Sequence, residues 1–244
     1  MKVVAVIPAL DEAQTIRDIA ERARREADAL IVVDDGSTDG TAERLAGLDL
    51  VVVRREQNLG KADSLWDGIQ RALAMGADAI VTLDGDGQHR PEDIGRLVGV
   101  HAKHPQCIVI GARLHDRAQF PARRYYANRF AGFWISWAAG YPIADTQSGF
   151  RVYPASLFSQ LARSDFRGNR FVFESEVLIR AARRGFFSVA TRIPGIYPNQ
   201  ARPSHFRPVA DIAKIVLMVA GQLLRRGMYP AGLWRSLHRP RIET

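Results

Sequence analysis

The sequence has little of what marks a secreted protein. It contains one cysteine, Cys107, so no disulfide can form within the chain. Cys107 begins an apolar run, and we expect a small buried side chain rather than a nucleophile. The apolar stretch at residues 3–8 is too short for a signal peptide, and no small-residue cleavage site follows it. We therefore expect a cytoplasmic protein.

Long hydrophobic runs are also scarce. Residues 130–144 carry no charge, and residues 209–224 are interrupted only by Asp211, Lys214 and Gln222 as strongly polar positions. A spanning helix needs about 20 predominantly apolar residues, so neither segment predicts a membrane span. Each is typical of a core helix or of a helix lying on a membrane surface. A peripheral position on the inner face of the cytoplasmic membrane is thus compatible with the sequence.

Acidic residues are too few to balance the bases, and the net charge is +8. From residue 200 onwards two acids, Asp211 and Glu243, face eight bases. These bases are Arg202, Arg207, Lys214, Arg225, Arg226, Arg235, Arg239 and Arg241. Such a tail binds nucleic acid, an anionic membrane or a phosphorylated substrate, or is merely a solvated surface. Aromatic residues interleaved with arginines on exposed strands would favour nucleic acid, whereas those at positions 130, 133, 134 and 137 have helical spacing.

Short β-branched runs alternate with helical patterns through the first half of the chain. Strands are predicted at residues 3–7, 30–33, 50–53, 79–83 and 108–111, with helices at 12–27, 41–46, 61–75 and 92–100. This rhythm predicts an α/β fold with a mostly parallel, Rossmann-like sheet and helices on both faces. Later elements are helices at 123–139, 174–183 and 209–226, a short extended piece after residue 150 and a strand at 187–192. We predict one domain at residues 1–207, followed by an apolar helix and basic tail at 208–244.

Polar, glycine-rich loops follow four of the predicted strands. Glu12 follows the first, Asp34 and Asp35 the second, Asp84 and Asp86 the fourth, and Arg113 the fifth. In parallel sheets the ligand crevice lies beyond the carboxyl ends of the strands. We therefore expect these side chains to line one site.

The loop Asp84-Gly85-Asp86-Gly87-Gln88-His89 predicts a metal site. Two carboxylates on a glycine-rich turn can face one crevice, and oxygen ligands suit Mg²⁺ or Mn²⁺. The metal would neutralise charge on a departing diphosphate. Taken alone the pattern is weak, because acid-glycine turns are common on protein surfaces. The acidic turn at Asp34 similarly indicates either a capped turn or a carboxylate that accepts hydrogen bonds from a nucleoside.

Four motifs together resemble one known family. Residues 7–12, 33–41, 58–61 and 84–89 occur in the order and spacing of family 2 glycosyltransferases, which have the GT-A fold. The loop Gln147-Ser148-Gly149-Phe150-Arg151 is similar to that of the branch containing dolichyl-phosphate mannosyltransferases and related polyprenyl-phosphate glycosyltransferases. The resemblance covers roughly residues 3–195.

The resemblance implies roles for individual residues. The nucleotide would be held by Pro8, Ala9, Glu12, Asp34, Asp35, Lys61, Asp84 and Arg202. The divalent cation, Mg²⁺ or Mn²⁺, would be bound by Asp84, Asp86 and Gln88. The catalytic group would comprise Asp86, which faces the diphosphate, and the arginines at the acceptor phosphate, namely Arg113, Arg123 and Arg124. The chain departs from the family at His205, where many relatives have a lysine, and it lacks a pair of C-terminal spanning helices.

We expect an inverting transfer of a hexose from a GDP- or UDP-sugar to a polyprenyl phosphate. A sugar hydroxyl needs a general base, whereas an ionised phosphate is already a nucleophile. The candidate bases are Asp145, Glu174 and Glu176, and none is clearly marked as one. Arginines are abundant by comparison: Arg113, Arg117, Arg123, Arg124, Arg129 and Arg151. The alternatives are a peripheral transferase acting on a lipid or glycan hydroxyl and a non-enzymatic basic module. Nucleotidyl transfer is disfavoured, because the loop after the first strand lacks the glycines and lysine it would need.

Overall fold

The computed structural model describes residues 1–113, 122–166, 171–196 and 208–243. In these residues eight strands form one mixed sheet in the order β3-β2-β1-β4-β6-β5-β7-β8. The strands are β1 (Val3–Ala9), β2 (Ala29–Asp34), β3 (Val51–Arg54), β4 (Ala79–Thr82), β5 (Ile108–Ala112), β6 (Arg151–Pro154), β7 (Ser188–Arg192) and β8 (Ile242–Glu243). All neighbouring pairs are parallel except those of β6, which runs antiparallel to β4 and β5.

Helices connect the strands and cover the sheet. They are α1 (Ile16–Glu26), α2 (Thr41–Arg44), α3 (Lys61–Ala74), α4 (Ile94–Lys103), α5 (Ala122–Ala139), α6 (Ala155–Phe158), α7 (Phe171–Ala182), α8 (Pro208–Leu224) and α9 (Pro230–Ser236). Single 3-10 turns occur at Pro91–Asp93 and Arg163–Asp165.

The sheet is buried on both faces. In β1, Val4 and Val6 belong to one hydrophobic core, with residues of α3, α5, α7 and α8. Ala5 and Ile7 belong to a second core, with residues of α1 and α4. Successive strand residues point to opposite faces, so a strand covered on both sides needs apolar residues at every position. This double burial confirms the predicted α/β sheet with helices on both faces.

Most differences from the predicted elements are at their boundaries. The helix predicted from Glu12 begins at Ile16, because residues 12–15 form a turn in which the Glu12 carbonyl accepts hydrogen bonds from the Thr15 and Ile16 amides. The short extended piece after residue 150 is β6, a central strand that pairs on both sides. Helices α6 and α9 and strand β8 were not predicted; they have four, seven and two residues, which is too short for a clear periodic pattern.

The C-terminal elements pack onto the rest of the described chain. Helix α8 buries Ile215, Val219 and Leu223 in the core shared with α5 and α7. The Trp137 indole donates to the carbonyls of Met228 and Tyr229, 3.0 and 3.2 Å away. The division at residue 207 follows sequence composition, whereas the packing joins the two parts. Among the residues the structure describes, no helix is long and apolar enough to cross a membrane.

Candidate active site

The carboxyl ends of β1, β2 and β4 meet at one edge of the sheet. These three strands are adjacent and parallel, so the loops after them open on the same side. Glu12 follows β1, Asp34 ends β2 and Asp84 follows β4. Below, the edge formed by these loops is called the rim. It is the edge at which the sequence predicts the site.

The first two rim loops are held together by side chain to backbone hydrogen bonds. The Asp11 amide donates to Ser37 Oγ at 2.8 Å, and the Thr38 amide donates to Asp11 Oδ1 at 2.9 Å. The Glu12 amide donates to Thr41 Oγ1 at 2.8 Å. Asp11 has a φ of 52°, a left-handed conformation that aspartate tolerates better than most residues. These contacts fix the backbone around the predicted nucleotide-binding positions Pro8 and Ala9, which end β1, and Glu12, which follows it.

Asp34 presents a buried carboxylate oxygen that no group in the described part of the chain hydrogen-bonds. Its side chain has no exposed surface, and Oδ1 accepts a hydrogen bond from the Ser37 amide at 3.0 Å. Oδ2 has no hydrogen-bond partner among the described residues, and Arg54 Nε lies 4.0 Å away. An unsatisfied buried acceptor is costly, so such an oxygen favours a ligand that donates to it. This geometry supports Asp34 as a nucleoside contact.

We predict that Asp34→Asn weakens nucleotide binding by about 10- to 100-fold, because a hydrogen bond to a charged acceptor contributes about 1.5–3 kcal/mol. Calorimetric titration with UDP and with GDP, in the absence of metal, measures the effect. Asp18→Asn on the exposed side of α1 is the control for the loss of a carboxylate. Equal affinities in Asp34→Asn and the parent protein would remove Asp34 from the site.

Asp35 has a different environment from Asp34. Its Oδ1 accepts from the Leu59 amide at 3.0 Å and from Arg55 Nη1 at 2.9 Å, and its Oδ2 accepts from the Gly60 amide at 2.8 Å. Both oxygens therefore hold the loop that leads into α3. The structure favours Asp34 over Asp35 as the nucleoside contact.

Gly36 allows the loop after β2 to approach the segment before α3 closely. It has a φ of +78°, and a Cβ there would lie 2.8 Å from the backbone carbon of Gln57. A side chain at this position would both strain the turn and displace the segment. The glycine after Asp35 is thus required by packing as well as by backbone conformation.

Lys61 joins two carboxylates from distant parts of the chain. Its Nζ lies 2.6 Å from Asp84 Oδ1 and 3.0 Å from Glu174 Oε2. Burial lowers the pKa of Lys61, but the attraction of Asp84 and Glu174 outweighs it and raises this pKa above its usual value. Burial on its own would raise the pKa of Asp84, but the nearby Lys61 ammonium outweighs it and lowers this pKa below its usual value. Asp84 therefore stays ionised. We call Lys61, Asp84 and Glu174 the rim triad.

Asp86 lies close enough to Asp84 to feel its charge. Burial and the repulsion of Asp84 raise the pKa of Asp86. Its Oδ1 accepts a hydrogen bond from the main-chain amide of Gln88 at 3.0 Å. A divalent cation would relieve this repulsion. Gly87, with a φ of +76°, allows the turn between Asp86 and Gln88. The carboxylates therefore suit an oxygen-ligated cation.

No cluster of three or more His, Cys, Asp or Glu side chains in the described part of the chain is arranged to hold a metal alone. A cation such as Mg²⁺ needs only one or two carboxylates when substrate phosphates complete its shell. Asp84 and Asp86 fit that kind of site, in which the donor substrate supplies the remaining ligands. The predicted contribution of Gln88 as a third ligand stays a prediction.

Arg113 and Asp145 form a buried ion pair beside these acids. The Arg113 side chain is 4% exposed, and its Nε lies 3.1 Å from Asp145 Oδ2, which also accepts the Arg113 amide at 2.9 Å. Burial would raise the pKa of Asp145, but Arg113 holds it below its usual value. A carboxylate with a lowered pKa is a poor proton acceptor.

The other two candidate bases are ion-paired as well. Glu174 belongs to the rim triad, and Glu176 pairs with Arg180 at 2.8 Å one turn along the same helix. All three acids that the sequence offered as general bases are therefore engaged with cations.

Arg151 has a scaffold role. Arg151 is one of the arginines whose abundance in the sequence favours an anionic acceptor, but in the structure it has no exposed surface. Its guanidinium donates to the carbonyls of Thr146, Ser148 and Glu174, each at 2.8 Å, and to the Tyr153 hydroxyl at 3.1 Å. Arg151 thus fixes the loop at residues 145–150 against α7.

His89 belongs to the acidic loop at residues 84–89, but the sequence predicted no role for it. It is 4% exposed, packs against Phe150 with ring centroids 5.3 Å apart, and leaves Nδ1 without a hydrogen-bond partner in the described residues. Burial and the charge of Arg113 lower the pKa of His89 to about 3, so its ring is neutral near pH 7. Its place at the end of the acidic loop was the available signal. The side chains of Arg123 and Arg124, on the first turn of α5, and the residues Arg202 and His205 lie outside what the structure describes.

Comparison with known proteins assigns this arrangement to a family. The family model described as glycosyl transferase family 2 matches residues 4–162. The curated relatives include a UDP-N-acetylglucosamine–dolichyl-phosphate N-acetylglucosaminyltransferase of Methanococcus voltae, 29% identical over 73% of this chain and 79% of the relative. They also include a polyprenol monophosphomannose synthase of Mycolicibacterium smegmatis, 27% identical over 79% of this chain and 76% of the relative.

Solved structures share the fold. A glucosyl-3-phosphoglycerate synthase of Mycobacterium tuberculosis, crystallised with Mn²⁺, UDP-glucose and phosphoglyceric acid, superposes with a TM-score of 0.69. The match is 22% identical and covers 94% of this chain and 80% of that structure. This likeness confirms the predicted GT-A type of fold. Glu12, Asp34, Asp84 and Asp86 lie within the residues matched by the family model, and the chain belongs to glycosyl transferase family 2.

Proposed function

We propose that the protein transfers a sugar from a GDP- or UDP-linked donor to the phosphate of a polyprenyl phosphate, with inversion at the anomeric carbon. A phosphate oxygen of the acceptor attacks that carbon, and the nucleoside diphosphate leaves from the opposite side. The observation that carries the proposal is the pairing of Asp145, Glu174 and Glu176 with Arg113, Lys61 and Arg180. A hydroxyl acceptor would need one of these acids as a free base, whereas an ionised phosphate needs positioning and charge screening.

The donor would lie along the rim. Asp34 would accept a hydrogen bond from the nucleoside, and Asp84 and Asp86 would hold Mg²⁺ or Mn²⁺ against the diphosphate. A bound divalent cation neutralises the charge that develops on the leaving diphosphate. The raised pKa of Asp86 fits this role, because a cation would stabilise its ionised form.

A pocket lined in part by Asp145, the partner of Arg113, suits the acceptor. It has a volume of about 370 Å³ and lies between α5, the loop at residues 142–146 and the C-terminal segment at residues 236–242. Its polar lining includes Arg129 and Arg192, and Asp145, whose charge Arg113 balances. Ile143 and Phe133 are among its apolar walls. Cations beside apolar walls match an acceptor that joins a phosphate to a hydrocarbon chain.

A transfer assay tests the proposed function. The protein is incubated with GDP- and UDP-hexoses and Mn²⁺, and with a short-chain polyprenyl phosphate or the matching free polyprenol. We expect sugar on the phosphate and none on the alcohol. Transfer to the alcohol, or to neither, would contradict the proposal, and the first outcome would favour a hydroxyl acceptor.

We also propose that the protein binds reversibly to anionic membrane surfaces. Most large apolar side chains that are exposed in the described residues lie on α5, α8, α9 and the segments after them. They are Tyr126, Phe130, Phe133, Leu217, Leu224, Met228, Trp234, Leu237 and Ile242. The basic residues Arg225, Arg226, Arg235, Arg239 and Arg241 lie in the same C-terminal part of the chain. Basic residues near an anionic surface contribute about 1 kcal/mol each, and apolar side chains add to this attraction.

We predict that the protein floats with anionic vesicles at low salt and is released as salt rises, because screening shortens to about 8 Å at physiological ionic strength. The double variant Trp234→Ser/Leu237→Ser should lose binding, since these side chains are 68% and 66% exposed. Val52→Ser on β3, at the opposite edge of the sheet, is the control for losing an exposed apolar side chain. Absence of the parent protein from the floated fraction at low salt would contradict the proposal. Point variants are preferable to truncation before Val209, because truncation would uncover the core that α8 closes.

A further inference from the structure

We propose that Glu174 is a positioning residue of the metal site and that it acts through Lys61. Glu174 shares the Lys61 ammonium with Asp84, and this sharing holds the Asp84 carboxylate in place for the cation. The inference rests on the proposed function, since it assumes that Asp84 binds a metal.

The contacts of the rim triad carry the first step. Lys61 Nζ is within 3.0 Å of one oxygen from each acid, namely Asp84 Oδ1 and Glu174 Oε2. The other oxygen of Asp84, Oδ2, would lie 2.9 Å from a Cβ added at Gly149. Lys61 therefore fixes one oxygen of Asp84, and Gly149 leaves room beside the other.

Both partners of Asp84 are themselves anchored. Lys61 is the first residue of α3, and the two residues before it donate their amides to Asp35. Glu174 lies in the first turn of α7, where its carbonyl accepts a hydrogen bond from the buried Arg151 at 2.8 Å. The triad thus connects the loop of Asp84 to the starts of α3 and α7, which are fixed by separate hydrogen bonds. A side chain held in this way keeps its geometry when a ligand binds.

The charges explain why a second acid is needed. Lys61 beside Asp84 and Asp86 alone would leave a net charge of about −1, and its ammonium would bind Asp84 in competition with a cation. Glu174 brings the local charge to about −2 and takes part of the hydrogen bonding of the ammonium. Asp84 is then oriented by Lys61 without being fully neutralised by it. Residues hydrogen-bonded behind metal ligands commonly change metal affinity by about 10- to 100-fold when replaced.

The experiment compares Glu174→Gln with Glu176→Gln in the full chain. Glutamine retains the size of glutamate and a carbonyl acceptor but removes the charge. Glu176 is a matched control, because it lies two residues further on α7, is also buried and pairs with Arg180. Mn²⁺ binding is followed by electron paramagnetic resonance in the presence of UDP and of GDP, so the readout does not depend on turnover. Circular dichroism checks that each variant is folded.

We expect Mn²⁺ affinity to fall by about 10-fold in Glu174→Gln and to be unchanged in Glu176→Gln. In the Lys61→Met background, Glu174→Gln should cause no further loss, because Glu174 acts through Lys61. An equal loss with and without Lys61 would overturn the inference, since it would indicate a direct effect of charge. Unchanged affinity in Glu174→Gln would overturn it as well.

The failure of the inference can be told apart from failure of the proposed function. If the parent protein binds no Mn²⁺ with either nucleotide, the metal site is wrong and the inference falls with it. If the parent protein binds Mn²⁺ and Glu174→Gln binds it equally well, only the inference is wrong. Should Glu174→Gln not fold, Glu174→Asp gives the same contrast, because aspartate keeps the charge but is one methylene too short to retain the 3.0 Å contact.

Discussion

Sugar transfer is expected to fall by at least about 100-fold in Asp86→Asn, while the fold is retained. Asparagine has the same shape as aspartate but lacks the charge that a divalent cation requires. Burial and Asp84 already raise the pKa of Asp86, so the neutral side chain is easily accommodated in the absence of metal. The variant should therefore be as stable as the parent protein or slightly more stable when no metal is present, because the repulsion from Asp84 is removed.

The measurement is a turnover assay at several Mn²⁺ concentrations, together with a thermal unfolding curve without metal. Asp28→Asn is the control, since Asp28 precedes β2 at the opposite end of that strand from the rim, where it accepts the Val3 amide at 2.7 Å. That control should retain its turnover. If Asp86→Asn also turns over undiminished, the metal assignment fails.

The sequence predicts the location of the site because the topology is local. Each motif follows its own strand directly, and strands β1, β2 and β4 are parallel neighbours, so their ends coincide. Alternation of apolar runs and helical periods was enough to predict these strands, with errors of one or two residues at their ends. The position of Asp34 and Asp84 at one edge of the sheet could therefore be predicted without any knowledge of contacts.

The partners of the charged residues could not be predicted in the same way. Lys61 and Glu174 are more than 100 residues apart in the sequence, and neither lies in a periodic pattern that specifies the other. An arginine that binds phosphate and an arginine buried in a scaffold look alike in a sequence. Arg151 proved to be of the second kind, because its buried guanidinium donates to the Thr146 and Ser148 carbonyls of the loop before β6 and to the Glu174 carbonyl of α7.

The C-terminal region illustrates the same limit. The apolar residues of α8 were compatible with a core helix or with a membrane-surface helix, and in the structure some of them are buried while others are exposed. Ile215, Val219 and Leu223 are buried in the protein, whereas Leu217 and Leu224 are 72% and 69% exposed. A periodic pattern in the sequence predicts an amphipathic helix. Which of its apolar residues remain exposed can be seen only when the helix is packed in the structure.

The second large effect concerns the Arg113–Asp145 pair. Arg113→Met should lower the free energy of unfolding by about 3–5 kcal/mol, because it leaves the Asp145 carboxylate buried without its cation. Asp145 has no exposed side-chain surface, and its Oδ2 accepts two hydrogen bonds from Arg113. Chemical denaturation measures the change. The loss of activity in the single variant would therefore say little about the acceptor.

The double variant Arg113→Met/Asp145→Asn separates stability from function. It removes both charges. The side-chain amide oxygen of the asparagine can still accept a hydrogen bond from the main-chain N–H at position 113, which does not change when the arginine is replaced. We expect it to recover most of the stability that Arg113→Met loses. Recovery of less than about half of the loss would show that the ion pair is not the main role of these side chains.

Activity of that double variant then tests the acceptor assignment of Arg113. If the guanidinium also contacts the acceptor phosphate, transfer to a polyprenyl phosphate should fall much further than hydrolysis of the donor, because hydrolysis uses water and needs no acceptor phosphate. Equal damage to both reactions would place Arg113 on the donor side or in the scaffold. Recovered stability with both reactions intact would show that Arg113 is only a structural partner of Asp145. Among the described residues, Arg129 and Arg192 of the pocket would then be the candidate ligands of the acceptor phosphate.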